Sequence, residues 1–230
     1  MPSTLTAEQN RLPAQCAIPF SSVGLIAMDM DSTAITIECI DEIADFAGVK
    51  AQVSAVTEAA MRGELDFQDS LRQRVACLEG LSTRVLEEVY EARLRPSLGL
   101  QELMTEAHKH DVKTLLVSGG FTYFTERMRR RFGYTYTRAN TLGEHDGRLT
   151  GKVCGAIVDA AEKERLLRFF ASTLPSTRNA TIALGDGAND LPMLKAATLG
   201  VAYHAKPRVR EQVRVAINVG GLDTLLVLLP

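Results

Sequence analysis

The sequence predicts an α/β protein, with a Rossmann-like parallel sheet covered by helices on both faces and an inserted helical cap. Short apolar runs that end in glycine or polar residues alternate with helical patterns, which is typical of a parallel sheet. Charged or hydroxyl residues follow several of these runs. About 80 residues of helical sequence separate the first run from the second, too many for a simple crossover, and they indicate the cap.

The first apolar run, residues 23–28, ends directly before Asp29 and Asp31. On an extended strand these two side chains point to the same side. At roughly 4 Å and an effective dielectric near 20, two carboxylates repel by about 4 kcal/mol, and burial adds a further penalty. Although such a pair of acids is also common on surface turns, its place after a strand favours a metal ion, a shared proton or a catalytic role.

Three later segments are predicted as buried strands, residues 112–118, 180–186 and 199–205, and a helical pattern follows each. Ser118 and Asp186 stand at the ends of two of them. Ligands of parallel sheets bind beyond the carboxyl ends of the strands. We therefore expect Ser118 and Asp186 to meet the first acid pair at one edge of the sheet.

The glycines beside these strand ends favour ligand binding. Ser118 is followed by Gly119 and Gly120, whose backbone N–H groups suit an anion at the start of a helix, although the same pair serves an ordinary tight turn. Asp186 lies between two glycines, where an acid is typical of a ligand for a hard cation. Asn189 and Asp190 fit helix capping, ligand binding or both.

The predicted domain organisation follows from these patterns. Residues 1–22 are polar and form a loose N-terminal arm; residues 23–36 and 97–230 form the α/β core; residues 37–96 form the cap. The cap is helical throughout, with breaks at three glycines: Gly48, Gly63 and Gly80.

One predicted cap helix carries an inward-facing arginine. Its apolar stripe recurs at helical spacing, and Arg74 belongs to it whereas Arg72 points away. The stripe consists of Phe67, Leu71, Val75 and Leu78. A buried arginine requires an anionic partner, either a structural acid or a substrate carboxylate, and spacing leaves both open.

Three further residues are uninformative by themselves. Glu38 has the pattern of a helix-surface acid, Met61 that of a core methionine, and Lys163 that of a solvated helix lysine.

Composition excludes several classes of function. Of 230 residues, 46% are hydrophobic and 23% charged, and the net charge is −2. This balance predicts no nucleic-acid or membrane partner. The four cysteines form no C-x-x-C pair, the N-terminus lacks a signal-peptide pattern, and no apolar run reaches the ~18 residues of a membrane helix. We expect a soluble, cytoplasmic protein.

Taken in chain order, the polar positions resemble the four signature motifs of the haloacid dehalogenase superfamily. The matching residues are Asp29-x-Asp31-x-Thr33, Ser118, Lys163 and Gly185-Asp186-x-x-Asn189-Asp190. The longer stretches "MDMDSTAITIECIDEIA", "AAMRGELDFQDSLRQRV", "VSGGF" and "GDGANDLPM" resemble the phosphoserine phosphatase family within it. The resemblance covers roughly residues 23–220.

The resemblance implies a role for each matching acid. Asp29 is expected to be the nucleophile, forming an aspartyl-phosphate, and Asp31 the general acid and then the general base. Mg²⁺ is expected to be held by the Asp29 carboxylate, the Asp31 backbone carbonyl and Asp186, with Asp190 in support. Lys163 is the third expected catalytic residue.

The remaining implied roles concern the substrate, O-phospho-L-serine. The phosphoryl oxygens are expected to be held by Ser118, Gly119, Gly120 and Lys163, with Asn189 also among the substrate-binding residues. In the cap, Glu38 is expected to meet the substrate ammonium, Arg74 its carboxylate, and Met61 and Phe67 to wall the pocket. A monomer or homodimer is expected.

Other functions stay open at this point. A related phosphatase or phosphotransferase could act on phosphothreonine, phosphohomoserine or a sugar phosphate. A phospho-aspartate signalling domain shares the acid cluster, but it is about half as long and needs neither a general acid nor a cap. An inactive metal-binding scaffold is disfavoured because no catalytic position is missing.

Overall fold

The computed structural model describes residues 9–230, so the first part of the predicted arm, residues 1–8, lies outside the described residues. A seven-stranded sheet forms the core, in the order β4-β3-β2-β1-β5-β6-β7. All neighbours are parallel except β3 and β4, which form an antiparallel hairpin. The strands are β1 (Val23–Met28), β2 (Lys113–Phe121), β3 (Tyr136–His145), β4 (Arg148–Cys154), β5 (Ala180–Gly185), β6 (Leu199–Tyr203) and β7 (Val215–Ile217).

Nine α-helices accompany the sheet in the described part of the chain. Four of them lie between β1 and β2 and form the cap region: α1 (Cys39–Phe46), α2 (Lys50–Met61), α3 (Phe67–Ala76) and α4 (Arg84–Ala92). The other five belong to the core: α5 (Leu100–Lys109), α6 (Thr122–Phe132), α7 (Ala160–Ser172), α8 (Leu191–Ala196) and α9 (Pro207–Arg210).

Both faces of the sheet are buried. Along β1, Ile26 and Met28 pack into one hydrophobic cluster, while Leu25 and Ala27 pack into another on the opposite side. Helices α5 and α6 cover the first face, and α7, α8 and α9 cover the second. A strand buried on both sides needs apolar residues throughout, which explains the continuous apolar run. The predicted α/β fold with a doubly covered parallel sheet is confirmed.

The register brings three strand ends together. Met28, the last residue of β1, pairs with Leu116 of β2 and with Leu184 of β5. The residues that follow, Asp29 and Asp186 among them, therefore emerge at the same edge of the sheet. This is the convergence that the sequence predicts.

Three glycines of the cap region, Gly48, Gly63 and Gly80, adopt left-handed backbone conformations. The three break glycines have positive φ angles of 72°, 80° and 79°, a conformation that side chains with a Cβ rarely adopt. On α3, Leu71, Val75 and the following Leu78 are buried. Two backbone hydrogen bonds of 2.8 Å, from the Gly80 N–H to the Leu149 carbonyl and from the Leu149 N–H to the Leu81 carbonyl, connect the cap region to the β3–β4 hairpin.

The predicted loose arm is wrong for its described part. Arg11 pairs in antiparallel fashion with Ala216 of the edge strand β7, through backbone hydrogen bonds of 2.8 and 3.0 Å. Cys16 and Phe20 are buried in the core. Polar composition could not predict this, because pairing with an edge strand depends on backbone groups that every residue carries. Over residues 9–230, no helix combines the length and apolar character needed to cross a membrane.

Candidate active site

A buried ion-pair triad lies beneath the carboxyl end of the sheet. The Lys163 ammonium is 2.8 Å from Asp29 Oδ1 and 2.7 Å from Asp190 Oδ1, and the lysine side chain is fully buried. Asp29 Oδ1 also accepts a 2.7 Å hydrogen bond from the Met30 N–H. The second oxygen of Asp190 accepts from the Gly187 N–H at 3.0 Å. The charges are therefore paired, as burial requires.

The triad contains one cation and two carboxylates, and the protonation equilibria reflect this imbalance. Burial, followed by the charge of Asp190, raises the pKa of Asp29, although Lys163 opposes the shift. Burial alone would lower the pKa of Lys163, but the two carboxylates raise it instead. The lysine therefore stays protonated and keeps a positive charge beside Asp29.

Asp31 lies in a tight bend directly after β1. The next residue, Ser32, has a positive φ of 55°, which turns the chain back over the strand end. Asp31 Oδ1 is buried and has no hydrogen-bond partner among residues 9–230. Burial, and then the nearby charge of Glu38, raise the pKa of Asp31 to about 7. A carboxyl group with this pKa exchanges protons near neutral pH, as a general acid–base catalyst must.

The end of β2 forms a compact loop beside these acids. Ser118 is buried, and its Oγ accepts a 2.8 Å hydrogen bond from the Gly120 N–H. A Cβ at Gly120 would lie 2.9 Å from Asp31 Oδ2, and a Cβ at Gly119 would lie 2.9 Å from the Phe67 ring. Only glycine lets the backbone approach both the acid and the cap so closely.

Three carboxylates converge at one point. Oxygens of Asp29, Asp186 and Asp190 all lie within 4.8 Å of one another. Thr33 donates a 3.1 Å hydrogen bond to Asp186 Oδ1. Burial and then the charge of Asp190 raise the pKa of Asp186 to about 6. Three carboxylates held this close together, two of them paired with Lys163, suit the binding of a hard cation.

A cavity of about 390 Å³ opens above the acids, and the cap region supplies its other side. Asp29, Asp31 and Asp186 lie on the core side. Glu38 and Arg74 lie on the cap side.

The two cap charges are held differently. Ser32 donates a 2.7 Å hydrogen bond to Glu38 Oε1, which ties this acid to the bend that carries Asp31. Arg74 Nε is buried, and no group in the described part of the chain makes a hydrogen bond to it. Burial lowers the pKa of Arg74, opposed by the charges of Asp41 and Glu38. An unsatisfied guanidinium N–H inside a cavity indicates that an anionic ligand completes its hydrogen bonding.

The comparisons with known proteins agree with this geometry. Residues 26–195 match the family model described as haloacid dehalogenase-like hydrolase. A phosphoserine phosphatase from a Polaromonas species is 55% identical over 214 residues, which cover 91% of each chain. The chain belongs to the haloacid dehalogenase-like hydrolase family.

Solved structures of this family superpose closely on the chain. A substrate-bound phosphoserine phosphatase complex matches with a TM-score of 0.82 and 36% identity, covering 90% of this chain and 99% of the other. A phospho-aspartyl intermediate analogue of phosphoserine phosphatase has the same TM-score and identity, covering 91% and 100% of the two chains. Both structures are nearly the full length of this chain.

Most of the site residues predicted from the sequence line the cavity between the core and the cap region. The structure brings to it Asp29, Asp31, Glu38, Phe67, Arg74, Ser118, Gly119, Gly120, Asp186 and Asn189. Lys163 and Asp190 lie directly beneath, fully buried. The Asp31 carboxylate is outside the acidic cluster, so a metal role for Asp31 rests on its backbone carbonyl.

Met61 is the exception, and its prediction as a cavity wall is wrong in this structure. It is the last residue of α2, its side chain is 78% exposed, and it does not line the cavity. Helix α2 ends at Met61, and the left-handed Gly63 follows two residues later, with a φ of 80°.

Sequence reasoning also missed residues that line the cavity. Asp41 lines the cavity and lies three residues after Glu38. Residues at this spacing share one side of a helix, so the position of Glu38 could have indicated that Asp41 also faces the cavity. Thr57 of α2 and Lys206, which follows β6, also lie there. No local pattern distinguishes these last two from solvated surface residues.

Proposed function

We propose that the protein hydrolyses O-phospho-L-serine to L-serine and phosphate through an aspartyl-phosphate on Asp29, with Mg²⁺ as its metal. The carrying observation is the cavity itself. On its cap side lie Glu38 and Arg74, whose buried Nε–H is unsatisfied within the described residues. On its core side lies the Asp29 carboxylate, which is paired with the buried Lys163. A small molecule with a carboxylate, an ammonium and a phosphate complements these groups.

In the first step, a carboxylate oxygen of Asp29 attacks phosphorus, and the bond from phosphorus to the seryl oxygen breaks. Oδ1 is already engaged by Met30 and Lys163, which leaves Oδ2 as the attacking oxygen. The departing seryl oxygen takes the proton of Asp31. With a pKa near 7, Asp31 carries this proton in a large fraction of molecules at neutral pH.

In the second step, a water molecule attacks the phosphorus of the aspartyl-phosphate, and the bond to the Asp29 oxygen breaks. Asp31, now ionised, accepts a proton from that water. Phosphate leaves, and both acids return to their starting protonation states. One residue therefore serves as acid and then as base, which balances the protons over the cycle.

The phosphoryl group carries negative charge towards an ionised nucleophile, so cations must offset the repulsion. Lys163 provides one positive charge beside Asp29. The Gly119 and Gly120 loop and the Ser118 hydroxyl supply hydrogen-bond donors on the other side of the cavity.

The Asp29 carboxylate, the Asp31 backbone carbonyl and the Asp186 side chain would hold Mg²⁺, with Asp190 in support. The ion supplies positive charge that stabilises the phosphoryl oxygens and keeps the nucleophile ionised. The convergence of three carboxylates around one lysine supports this assignment.

The cap residues select the substrate. Arg74 binds the serine carboxylate and Glu38 its ammonium, while the Phe67 ring packs between the loop at Gly119 and the cavity. The residues of the cap region, 37–96, act as a lid over the core.

The test is phosphate release from O-phospho-L-serine, with and without Mg²⁺, beside phosphothreonine, phosphohomoserine and a sugar phosphate. The same panel is run on Asp29→Asn, which removes the nucleophile with little change in shape. We expect Mg²⁺-dependent release from phosphoserine that this substitution abolishes. Activity on another ester alone would keep the chemistry and overturn the cap assignment, whereas a stable phosphorylated Asp29 without turnover would indicate a signalling switch.

A further inference from the structure

Asn140 is a fully buried side chain on β3 that uses both ends of its amide. Its Nδ2 donates a 2.8 Å hydrogen bond to the Gly119 carbonyl, and its Oδ1 accepts a 2.8 Å hydrogen bond from the Val158 N–H. Each bond joins the side chain to backbone that is distant in sequence. A buried amide with both groups satisfied fixes the two segments relative to each other.

The first segment is the loop at the end of β2, where the strand ladder is interrupted. Val117 pairs with Arg138 and Phe121 with Asn140, so residues 118–120 bulge out opposite a single residue of β3. Regular strand pairing therefore cannot hold this loop. The Asn140 side chain supplies the missing hydrogen bond to it.

The second segment leads into α7, the helix that carries Lys163. Val158 directly precedes Asp159, the N-cap of α7, whose side chain accepts a 3.0 Å hydrogen bond from the Glu162 N–H. Lys163 lies one turn further along. Fixing the Val158 N–H therefore fixes the start of the helix from which Lys163 reaches Asp29.

We propose that Asn140 is a positioning residue that holds the 118–120 loop and the start of α7 at the separation required to bind a phosphoryl group between them. It touches neither substrate nor metal. The inference rests on the proposed function, because it assigns the loop and Lys163 to phosphoryl binding. It predicts a defect in phosphate binding that spares the serine end of the cavity.

Two variants separate this role from general stability. Asn140→Asp keeps an acceptor for the Val158 N–H but cannot donate to the Gly119 carbonyl when ionised, and Asn140→Ser is too short to make either bond. We expect the dissociation constant of inorganic phosphate, measured calorimetrically with Mg²⁺ present, to rise about tenfold or more in both variants. Inhibition by L-serine should stay within about twofold of wild type, because serine contacts the cap residues.

Thr114→Val is the matched control. Thr114 is also buried on β2, and its Oγ1 accepts a 3.0 Å hydrogen bond from the Thr135 N–H at the opposite end of the same strand pair. Its loss should lower thermal stability and leave phosphate affinity unchanged. A folded Asn140→Ser with wild-type phosphate affinity would overturn the proposal, as would equal weakening of phosphate and serine.

A measurement on the wild-type protein covers the case in which both Asn140 variants fail to fold. Phosphate should slow amide hydrogen exchange at residues 118–120 and at Val158 together, because one side chain connects them. Slowing confined to residues 118–120 would contradict the connection. Since phosphate binding is measured directly, a protein that binds phosphate but does not hydrolyse phosphoserine would refute the proposed function alone.

Discussion

The ammonium of Lys163 lies 2.8 Å from the Oδ1 of Asp29, with the lysine side chain fully buried. This contact opposes the rise in the pKa of Asp29 that burial and the charge of Asp190 cause. The same lysine also neutralises Asp190, so one cation stabilises both the proposed nucleophile and the acid that supports the metal site. Removing Lys163 would leave two buried carboxylates without the cation that pairs with both.

Lys163→Met should therefore affect both activity and stability. We expect a loss of activity of at least about 100-fold, because a fixed positive charge at the phosphoryl site is removed. The free energy of unfolding should fall by about 3–5 kcal/mol, the usual result of breaking a buried ion pair on one side. Urea denaturation and phosphate release measure the two effects. The control Lys109→Met removes a lysine that is 65% exposed and should change neither by more than about 0.5 kcal/mol.

The metal-free protein should lose stability as the pH rises. The pKa values of Asp31, about 7, and Asp186, about 6, lie above their ordinary value because of burial, so the folded state holds protons that the unfolded state has released. The stabilisation that protonated Asp31 and Asp186 contribute to the folded state is complete below about pH 4 and is lost between about pH 4 and pH 7.

The measurement is the urea concentration at the unfolding midpoint, determined in EDTA across this pH range for wild type and for Asp31→Asn. Because both proteins carry the same surface acids, the difference between them isolates the contribution of Asp31. The wild-type midpoint should fall relative to the variant across the window. Mg²⁺ should restore the wild-type midpoint at pH 7 because it binds ionised carboxylates in the folded state only. Parallel pH profiles for the two proteins would contradict the assignment of Asp31.

Asp31→Asn should also reveal the proton-transfer step through the choice of leaving group. A seryl oxygen needs a proton to depart, whereas p-nitrophenolate does not. We expect the variant to lose about 100- to 10,000-fold in activity on phosphoserine but much less in the phosphorylation step with p-nitrophenyl phosphate. In wild type, the rate of that step on phosphoserine should fall as the pH rises through about 7, where Asp31 loses its proton. Rapid-mixing kinetics measure both, and equal losses on the two substrates would refute the acid role.

Arg74→Met should change which substrates are accepted. Its buried Nε–H has no hydrogen-bond partner within residues 9–230, and we propose that the substrate carboxylate accepts this hydrogen bond. The ratio kcat/KM for phosphoserine should fall by about 10- to 100-fold, while that for phosphoethanolamine, which has no carboxylate, should hardly change.

Arg72→Met is the matched control for this change. Arg72 lies on the same helix with its side chain 54% exposed and pairs with Asp69 at 3.1 Å on the surface. Its removal should leave both substrates unaffected. A loss on both substrates with Arg74→Met, equal in size, would indicate a structural role for Arg74.

The parts of the site that could be predicted from sequence are those that depend on local order. Asp29 and Asp31 follow an apolar strand, and Arg74 belongs to an apolar helical stripe, so strand alternation and helical spacing each fix a direction. Because parallel strands end at one edge, Asp186 could be placed near them without coordinates. In the structure, all four side chains line the same cavity.

Other parts depended on contacts between distant segments. Lys163 has the local pattern of a solvated helix lysine, yet two carboxylates from other segments surround it. Met61 has the pattern of a core residue, yet its helix ends where the side chain faces solvent. Asn140 lies in a hairpin strand and belongs to no distinguishing sequence motif. Its two hydrogen bonds, to the Gly119 carbonyl and from the Val158 N–H, join segments that are distant in sequence and are seen only in the structure.

The sequence by itself determined the α/β sheet, the inserted helical segment and the acids at the strand ends, because periodicity and strand order act over short distances along the chain. The tertiary structure decided which charges pair, which cap residues reach the cavity and how the loop after β2 is held. Those outcomes depend on burial and on hydrogen bonds between segments far apart in sequence, and a side chain's spacing along its own helix or strand does not determine its partner.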